Sequence, residues 1–217
     1  MDGIEAYRVI NGYVIGGVAY NSDLLVDALY AMKEYGPYTS VKQYNVTVNG
    51  KKADRYDTSI VAFCNYWYKR YSDKGFQFNP NYVKAMIGVE SKLGTYDGSH
   101  HGKTDVLQCL DKDNPAVYCI AKIAPSNGVA YDEYEGLNKG MIKEGYQAVK
   151  NIFNGSKPDA TQVNSRLSIC FGILWLGYKT AVAGTIKKGV IAYNGGGDPQ
   201  YWEHVMECHN NPASYLK

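Results

Sequence analysis

The stretch at residues 83–94 joins an apolar helical pattern to a single carboxylate, and it restricts the fold more than any other segment. Met86, Ile87 and Leu93 fall at helical spacing, which predicts a helix with one face against a core. Glu90 lies beside that face in the last helical turn. The helix dipole disfavours negative charge there, and an apolar wall disfavours the ionised form. Both effects raise the pKa of the carboxyl, as a general acid requires. The alternative is a surface Glu that turns outward.

The rest of the chain predicts a mainly α fold with a small amount of sheet. Apolar alternation around glycines at residues 5–21 predicts a hairpin. A β-branched run at residues 44–48, followed by Asn49-Gly50, predicts a second hairpin. The Val106 segment is expected to begin a short helix. Capping residues and helical spacing predict further helices over residues 21–35, 57–71, 79–91, 136–153, 161–182, 185–193 and 198–208.

Charge and hydropathy exclude several kinds of partner. The formal net charge is only +2, whereas phosphate binding requires a concentrated basic face, so nucleic acid is not expected as a partner. The apolar run at residues 167–178 is about a dozen residues, too short to span a bilayer, and it predicts a buried helix. The acidic first five residues lack the apolar core of a secretory signal.

Cysteine and histidine patterns do not predict a disulfide framework or a metal site. The chain has five cysteines and no C-x-x-C pair. The sequence leaves a disulfide bridge between Cys109 and Cys119 as an alternative to free thiols. Cys64 and Cys170 are predicted to be buried and to pack as small hydrophobic residues. His204 and Cys208 share a helix face, but no second ligand pair accompanies them. The sequence therefore predicts no metal and no cofactor.

Several short motifs follow Glu90 in a characteristic order, and together they resemble the soluble lytic transglycosylase family. Gln108 stands eighteen residues after Glu90 (108 minus 90) and Ser99 nine residues after it, as in that family. The resemblance covers roughly residues 79–205 and leaves about the first 75 unmatched. The segments that carry it are Glu90-Ser91, Ser99, Leu107-Gln108, Ile169-x-x-Gly172-x-x-x-Leu176 and Ala192-Tyr193-Asn194-Gly195.

This resemblance implies a lysozyme-like α+β fold and cleavage of peptidoglycan glycan strands. Residues 77–217 would form the catalytic domain, and residues 1–76 a small α/β extension with hairpins and two helices. Glu90 would protonate the glycosidic oxygen and then act as base. The sugar's N-acetyl group would stabilise the cation, and its 6-hydroxyl would close a 1,6-anhydro ring. No second carboxylate is needed in that scheme, unlike in ordinary glycosidases.

The resemblance also assigns roles to four further residues. Tyr193 would place its hydroxyl near Glu90 or the substrate, and Ser99 and Gln108 would hydrogen-bond sugar groups. Asn194 belongs to the same substrate-binding set, although an Asn before glycines also suits a turn-holding role.

Two departures from the family pattern leave the reaction open. Asp105 stands where the family has Gly. It would either cap the next helix or hold a water and make the enzyme a hydrolase, as in goose-type lysozymes. The gap between Gln108 and Tyr193 is longer than is typical of the family, which predicts an insertion within residues 111–160. A third alternative is a lysozyme-like module that binds glycan or a partner protein without turnover.

The expected substrate places the protein in the periplasm or cell wall, although the chain shows no signal peptide. Two alternatives would reconcile these expectations: a leader or larger domain that is not part of this sequence, or delivery by a secretion or phage-like apparatus. An inhibitor protein is a further expected partner. The chain is expected to act as a monomer.

Overall fold

The computed structural model describes residues 1–16, 21–99, 102–109 and 165–217. Over these ranges the protein is mainly α, as the sequence predicts, with a single two-stranded sheet. The predicted helix at residues 136–153, the insertion at 111–160 and Cys119 lie outside them. The described helices are α1 (Gly3–Gly16), α2 (Ser22–Lys33), α3 (Asp57–Tyr71), α4 (Pro80–Ser91), α5 (Ser165–Ala183), α6 (Ile186–Tyr193), α7 (Tyr201–Asn210) and α8 (Pro212–Tyr215).

The hairpin predicted at residues 5–21 is wrong, because helix α1 occupies Gly3–Gly16 instead. Asp2 supplies an N-terminal cap, since its Oδ1 accepts hydrogen bonds from the backbone N–H groups of Ile4 and Glu5, both at 2.9 Å. The apolar residues that suggest alternating strands lie on one face of this helix. The buried side chains recur at steps of three and four residues, namely Ala6, Val9, Ile10 and Tyr13.

The second hairpin and the helix starts predicted near residues 21, 57, 79 and 185 are confirmed, whereas the helix predicted from residue 198 begins at Tyr201. Strands β1 (Thr47–Val48) and β2 (Lys51–Lys52) pair antiparallel. Asn49 and Gly50 between them have φ of +46° and +76°, as a type I′ turn requires. Asn79 caps α4, because its Oδ1 accepts from the N–H of Asn81 at 2.9 Å. The short helix expected to begin at Val106 is absent from the described part of that segment, which forms turns up to residue 109.

The core is built around α5, which is apolar on every side. All of residues 167–178 are buried, which confirms the buried helix predicted there. Helices α3 and α6 pack against α5, while α2 packs on α3 and α1 on α2. Cys64 and Cys170 are fully buried, as predicted. In the described ranges no helix is long and apolar enough to cross a membrane.

A buried ion cluster fixes α4 to the N-terminal part of the chain. The Lys84 side chain is fully buried and its Nζ lies 2.5 Å from Asp54 and 2.7 Å from Asp57. Nζ also donates to the carbonyl oxygen of Lys42 at 2.9 Å. Because a buried cation requires such partners, the position of α4 depends on residues 42–57. The boundary proposed near residue 76 stays a prediction.

Candidate active site

Glu90 lies in the last turn of α4, one residue before the helix ends at Ser91. Its side chain is partly exposed. Oε1 accepts a hydrogen bond of 2.6 Å from the hydroxyl of Tyr201. Tyr201 is the first residue of α7 and is 2% exposed. The carboxyl is thus turned toward another helix and is held there by a buried phenol. This is the inward orientation of the two that the apolar helical pattern leaves open.

A glycine allows α7 to approach α4 closely enough for this contact. A Cβ at Gly88 would lie 2.4 Å from the Sγ of Cys208, so a larger residue would push the two helices apart. Cys208 lies two turns beyond Tyr201 on the same face of α7. Gly88 therefore helps to set the separation of the helices that carry Glu90 and Tyr201.

The surroundings of Glu90 favour its neutral form. Desolvation by burial is the largest cause and raises the pKa of the carboxyl to about 7. The hydrogen bond from Tyr201 acts in the opposite direction, and the carboxylates of Asp105 and Asp198 raise the pKa further. A carboxyl with a pKa near 7 can donate a proton and take one back at neutral pH.

Asp105 is near Glu90, but its carboxylate is directed into the core. It is 1% exposed. Its Oδ1 accepts from the hydroxyl of Ser168 at 2.6 Å and from the N–H of Cys109 at 3.2 Å. Ser168 in turn accepts from the N–H of Leu107 at 3.1 Å. In the described structure Asp105 therefore organises the turn at residues 105–109. No helix begins there within the described residues, so the helix-capping role considered for Asp105 stays a prediction.

The side chains of Ser99 and Gln108 both bind main-chain carbonyls, and Ser99 lies beside the end of α4. Ser99 Oγ lies 3.4 Å from the Glu90 carbonyl oxygen and 3.0 Å from that of Tyr96. Gln108 has a φ of +49°, and its Nε2 donates to the carbonyl oxygens of Gly102 and Asp105 at 2.9 and 2.5 Å. Their roles toward a sugar stay predictions.

Tyr193 and Asn194 end α6 beside the same segment. The Tyr193 hydroxyl donates to the carbonyl oxygen of Leu107 at 2.9 Å. Burial, followed by the nearby Cys109 thiol and Glu90, raises the pKa of Tyr193 well above its usual value. Tyr193 thus lies in the electrostatic environment of Glu90, while the hydroxyl that bonds Glu90 comes from Tyr201. Asn194 Oδ1 accepts from the N–H of Asp198 at 2.6 Å, so it holds the turn.

The resemblance motif around Gly172 has a packing explanation in this fold. A Cβ at Gly172 would lie 2.4 Å from the Cδ1 of Leu107 and 3.1 Å from the hydroxyl of Tyr193. Only a glycine lets α5 meet both the Leu107 turn and α6 at this point. Gly172 therefore allows the two segments that carry Gln108 and Tyr193 to pack against α5.

Sequence reasoning missed three residues of this site: Tyr201, Asp198 and Ser168. Tyr201 is one of 21 tyrosines, and nothing in its local pattern separates it from the others. Asp198 was assigned only to a helix start, but its Oδ2 lies 2.8 Å from Nδ1 of His204 and its charge acts on Glu90. Ser168 belongs to an apolar helical pattern, which hides its bond to Asp105.

Comparisons with known proteins add no family to this geometry. No family model, no curated protein and no solved structure matches the chain. Within the described ranges, no group of three or more His, Cys, Asp and Glu side chains could hold a metal ion. The functional argument therefore depends on the residues around Glu90 themselves.

Proposed function

We propose that this protein cleaves the glycan strands of peptidoglycan between N-acetylmuramic acid and N-acetylglucosamine, with Glu90 as the single acid and base. The observation that carries the proposal is the Glu90 carboxyl, desolvated between α4 and α7 and bonded to Tyr201 at 2.6 Å. Its pKa of about 7 matches the requirement for a proton donor at neutral pH. The order of the motifs after Glu90 supports a lysozyme-like catalytic unit.

In the proposed reaction, neutral Glu90 donates its proton to the glycosidic oxygen as the bond to the muramic acid C1 breaks. The N-acetyl group of the same sugar stabilises the cation that forms at C1. The Tyr201 hydroxyl then stabilises the carboxylate by donating to Oε1, since a hydrogen bond to an ionised group is stronger than one to a neutral group. The carboxylate takes the proton of the sugar's 6-hydroxyl as that oxygen bonds to C1. The product carries a 1,6-anhydro ring, and Glu90 is neutral again.

The position of Asp105 favours the anhydro product over hydrolysis. An inverting hydrolase holds a water with a second carboxylate on the opposite side of the sugar. The Asp105 carboxylate is instead buried and accepts hydrogen bonds from Ser168 and Cys109. Its negative charge raises the pKa of Glu90, so it would assist the acid without touching the substrate.

The test is digestion of purified sacculi followed by mass spectrometry of the soluble fragments. Wild-type protein is expected to release muropeptides whose anhydro ends lack one water, and Glu90→Gln is expected to release none while its circular dichroism is unchanged. Glu203→Gln, at an exposed position of α7, removes a carboxylate of the same type and should retain activity.

Each other outcome points to a different function. Fragments with reducing ends would assign a hydrolytic muramidase. Binding to insoluble peptidoglycan without soluble fragments would assign a non-catalytic module. Full activity in Glu90→Gln would remove the proposal. If the proposal is correct, the protein acts as a monomer in the periplasm or cell wall, where a delivery apparatus or an inhibitor protein would be its macromolecular partner.

A further inference from the structure

The turn that follows Glu90 has an uncommon backbone. Lys92, Leu93 and Gly94 have φ of +44°, +58° and +70°, so three successive residues are left-handed. Only the last of them is a glycine, the residue that adopts this conformation without steric strain. A left-handed conformation at two successive residues with side chains persists only when the surrounding structure holds it.

Hydrogen bonds within the helix end account for part of that support. The N–H groups of Lys92 and Leu93 donate to the carbonyl oxygens of Gly88 and Ile87, at 3.0 and 3.1 Å. Ser91 Oγ accepts from the N–H of Gly94 at 2.9 Å. The Leu93 side chain is fully buried. These contacts close the last turn of α4, which is the turn that carries Glu90.

Further support comes from Arg55, in the short 3₁₀-helix Ala53–Tyr56. Its Nη2 donates to the carbonyl oxygen of Leu93, in the middle of the left-handed turn. Its Nη1 donates to the carbonyl oxygen of Lys52 at 2.8 Å, and its guanidinium lies 4.5 Å from the centre of the Tyr56 ring. A planar group with several fixed donors can hold two carbonyls and stack at the same time.

Tyr56, the neighbour of Arg55, also contacts the turn after Glu90 and links it to α5. Its hydroxyl is 3.1 Å from Ser165 Oγ, at the start of α5, and would lie 2.9 Å from a Cβ at Gly94. The 3₁₀-helix therefore connects the turn after Glu90 with both the β-hairpin and α5. It belongs to the part of the chain that the transglycosylase resemblance leaves unmatched.

We propose that Arg55 is a positioning residue for Glu90: by holding the carbonyl of Leu93 it keeps the end of α4, and with it the carboxyl, against α7. The proposal gives the N-terminal region a role in the site, and the catalytic part of it rests on the proposed function. Arg55 acts through the turn and does not touch the substrate.

The ionisation of Glu90 reports this positioning, because desolvation is its main determinant. Loss of the turn would hydrate the carboxyl and lower its pKa. Removal of the positive charge of Arg55 would by itself raise the pKa of Glu90. The direction of the pKa shift therefore separates loss of the turn from loss of the charge. Among the described residues, the titratable groups that interact electrostatically with Glu90 include Tyr201 of α7, Asp198 before α7, Asp105 and Cys109 of the 102–109 segment, Tyr193 of α6 and Tyr215 of α8.

The experiment is an NMR titration of protein labelled with ¹³C at the Glu side-chain carboxyl, in which Glu90→Gln identifies the Glu90 signal. Wild type is expected to titrate near pH 7. In Arg55→Met the midpoint should fall by about one pH unit or more. Arg55→Lys retains the charge and one donor, so its midpoint should lie between the two. Arg8→Met, at an exposed position of α1, should titrate as wild type.

An Arg55→Met midpoint that is unchanged or raised would overturn the proposal. If Arg55→Met does not fold, an Arg55→Lys midpoint at or above the wild-type value would do the same. On sacculi, kcat of Arg55→Met should fall roughly 10- to 100-fold with KM changed less than about twofold. The titration needs no substrate, so an inactive wild-type protein would remove the proposed function and leave the test of Arg55 intact.

Discussion

Replacement of Glu90 by Gln should stabilise the folded protein at alkaline pH and have little effect at acid pH. The carboxyl titrates at about 7 in the folded protein, against 4.5 for a solvated Glu. Between these values the folded state binds more protons than the unfolded state, so stability falls as pH rises. Gln carries no charge at any pH and retains an oxygen that can accept from Tyr201. The stability of the variant therefore does not fall with rising pH in this way.

The magnitude follows from the two pKa values. Each pKa unit corresponds to about 1.4 kcal/mol, so the full difference at high pH is roughly 3–4 kcal/mol. At pH 5 only the first part of the unfolded-state titration has occurred, and the linkage relation gives roughly 1 kcal/mol. The advantage of Glu90→Gln over wild type should therefore grow by roughly 2–3 kcal/mol between pH 5 and pH 8.

Urea denaturation at pH 5, 6, 7 and 8 measures this growth directly. Glu203→Gln serves as the control, because Glu203 is an exposed residue of α7, and its stability should stay within about 0.5 kcal/mol of wild type at every pH. A Glu90→Gln advantage that does not increase with pH, or a variant less stable than wild type at pH 8, would refute the argument that burial sets the ionisation of Glu90.

Two further substitutions test the contacts around α4. Tyr201→Phe removes a hydrogen bond that favours ionised Glu90, so the pKa of Glu90 should rise above 7. In the proposed reaction, the basic limb of the pH–rate profile should then move up by about one unit. A limb that stays or moves down would contradict that bond. Lys84→Met leaves the partly buried carboxylates of Asp54 and Asp57 without their buried cation. The free energy of unfolding at pH 7, measured by urea denaturation, should fall by about 3–5 kcal/mol. A loss below about 1 kcal/mol would show that the cluster is solvated.

Local patterns predicted most of the described helices because their signals are short-range. Asn21 and Asn79 cap α2 and α4 with side-chain bonds to residues two or three positions on. The Asn49-Gly50 turn likewise needs only its own φ values. Helix α1 was missed because Gly12, Gly16 and Gly17 suggested turns, whereas the packing of α1 on α2 outweighs the low helix propensity of the first two.

The chemistry of Glu90 was only partly visible in the sequence. Helical spacing placed the carboxyl at the edge of an apolar face, and this much requires only the period of a helix. The partner of the carboxyl could not be found in that way, since Tyr201 lies 111 residues further along the chain. The roles expected for Ser99, Gln108 and Tyr193 came from resemblance, and the structure shows the main-chain carbonyls that their side chains bind.

The sequence by itself determined where helices begin, which of their faces are apolar, and that one carboxylate stands at the end of such a face. Those features depend on residues within a few positions of one another. The tertiary structure decided which groups surround that carboxylate: a phenol from α7, the buried charge of Asp105, and a turn held by Arg55. Desolvation and long-range hydrogen bonds arise only when distant segments pack together, so the proton affinity of Glu90 is a property of the fold.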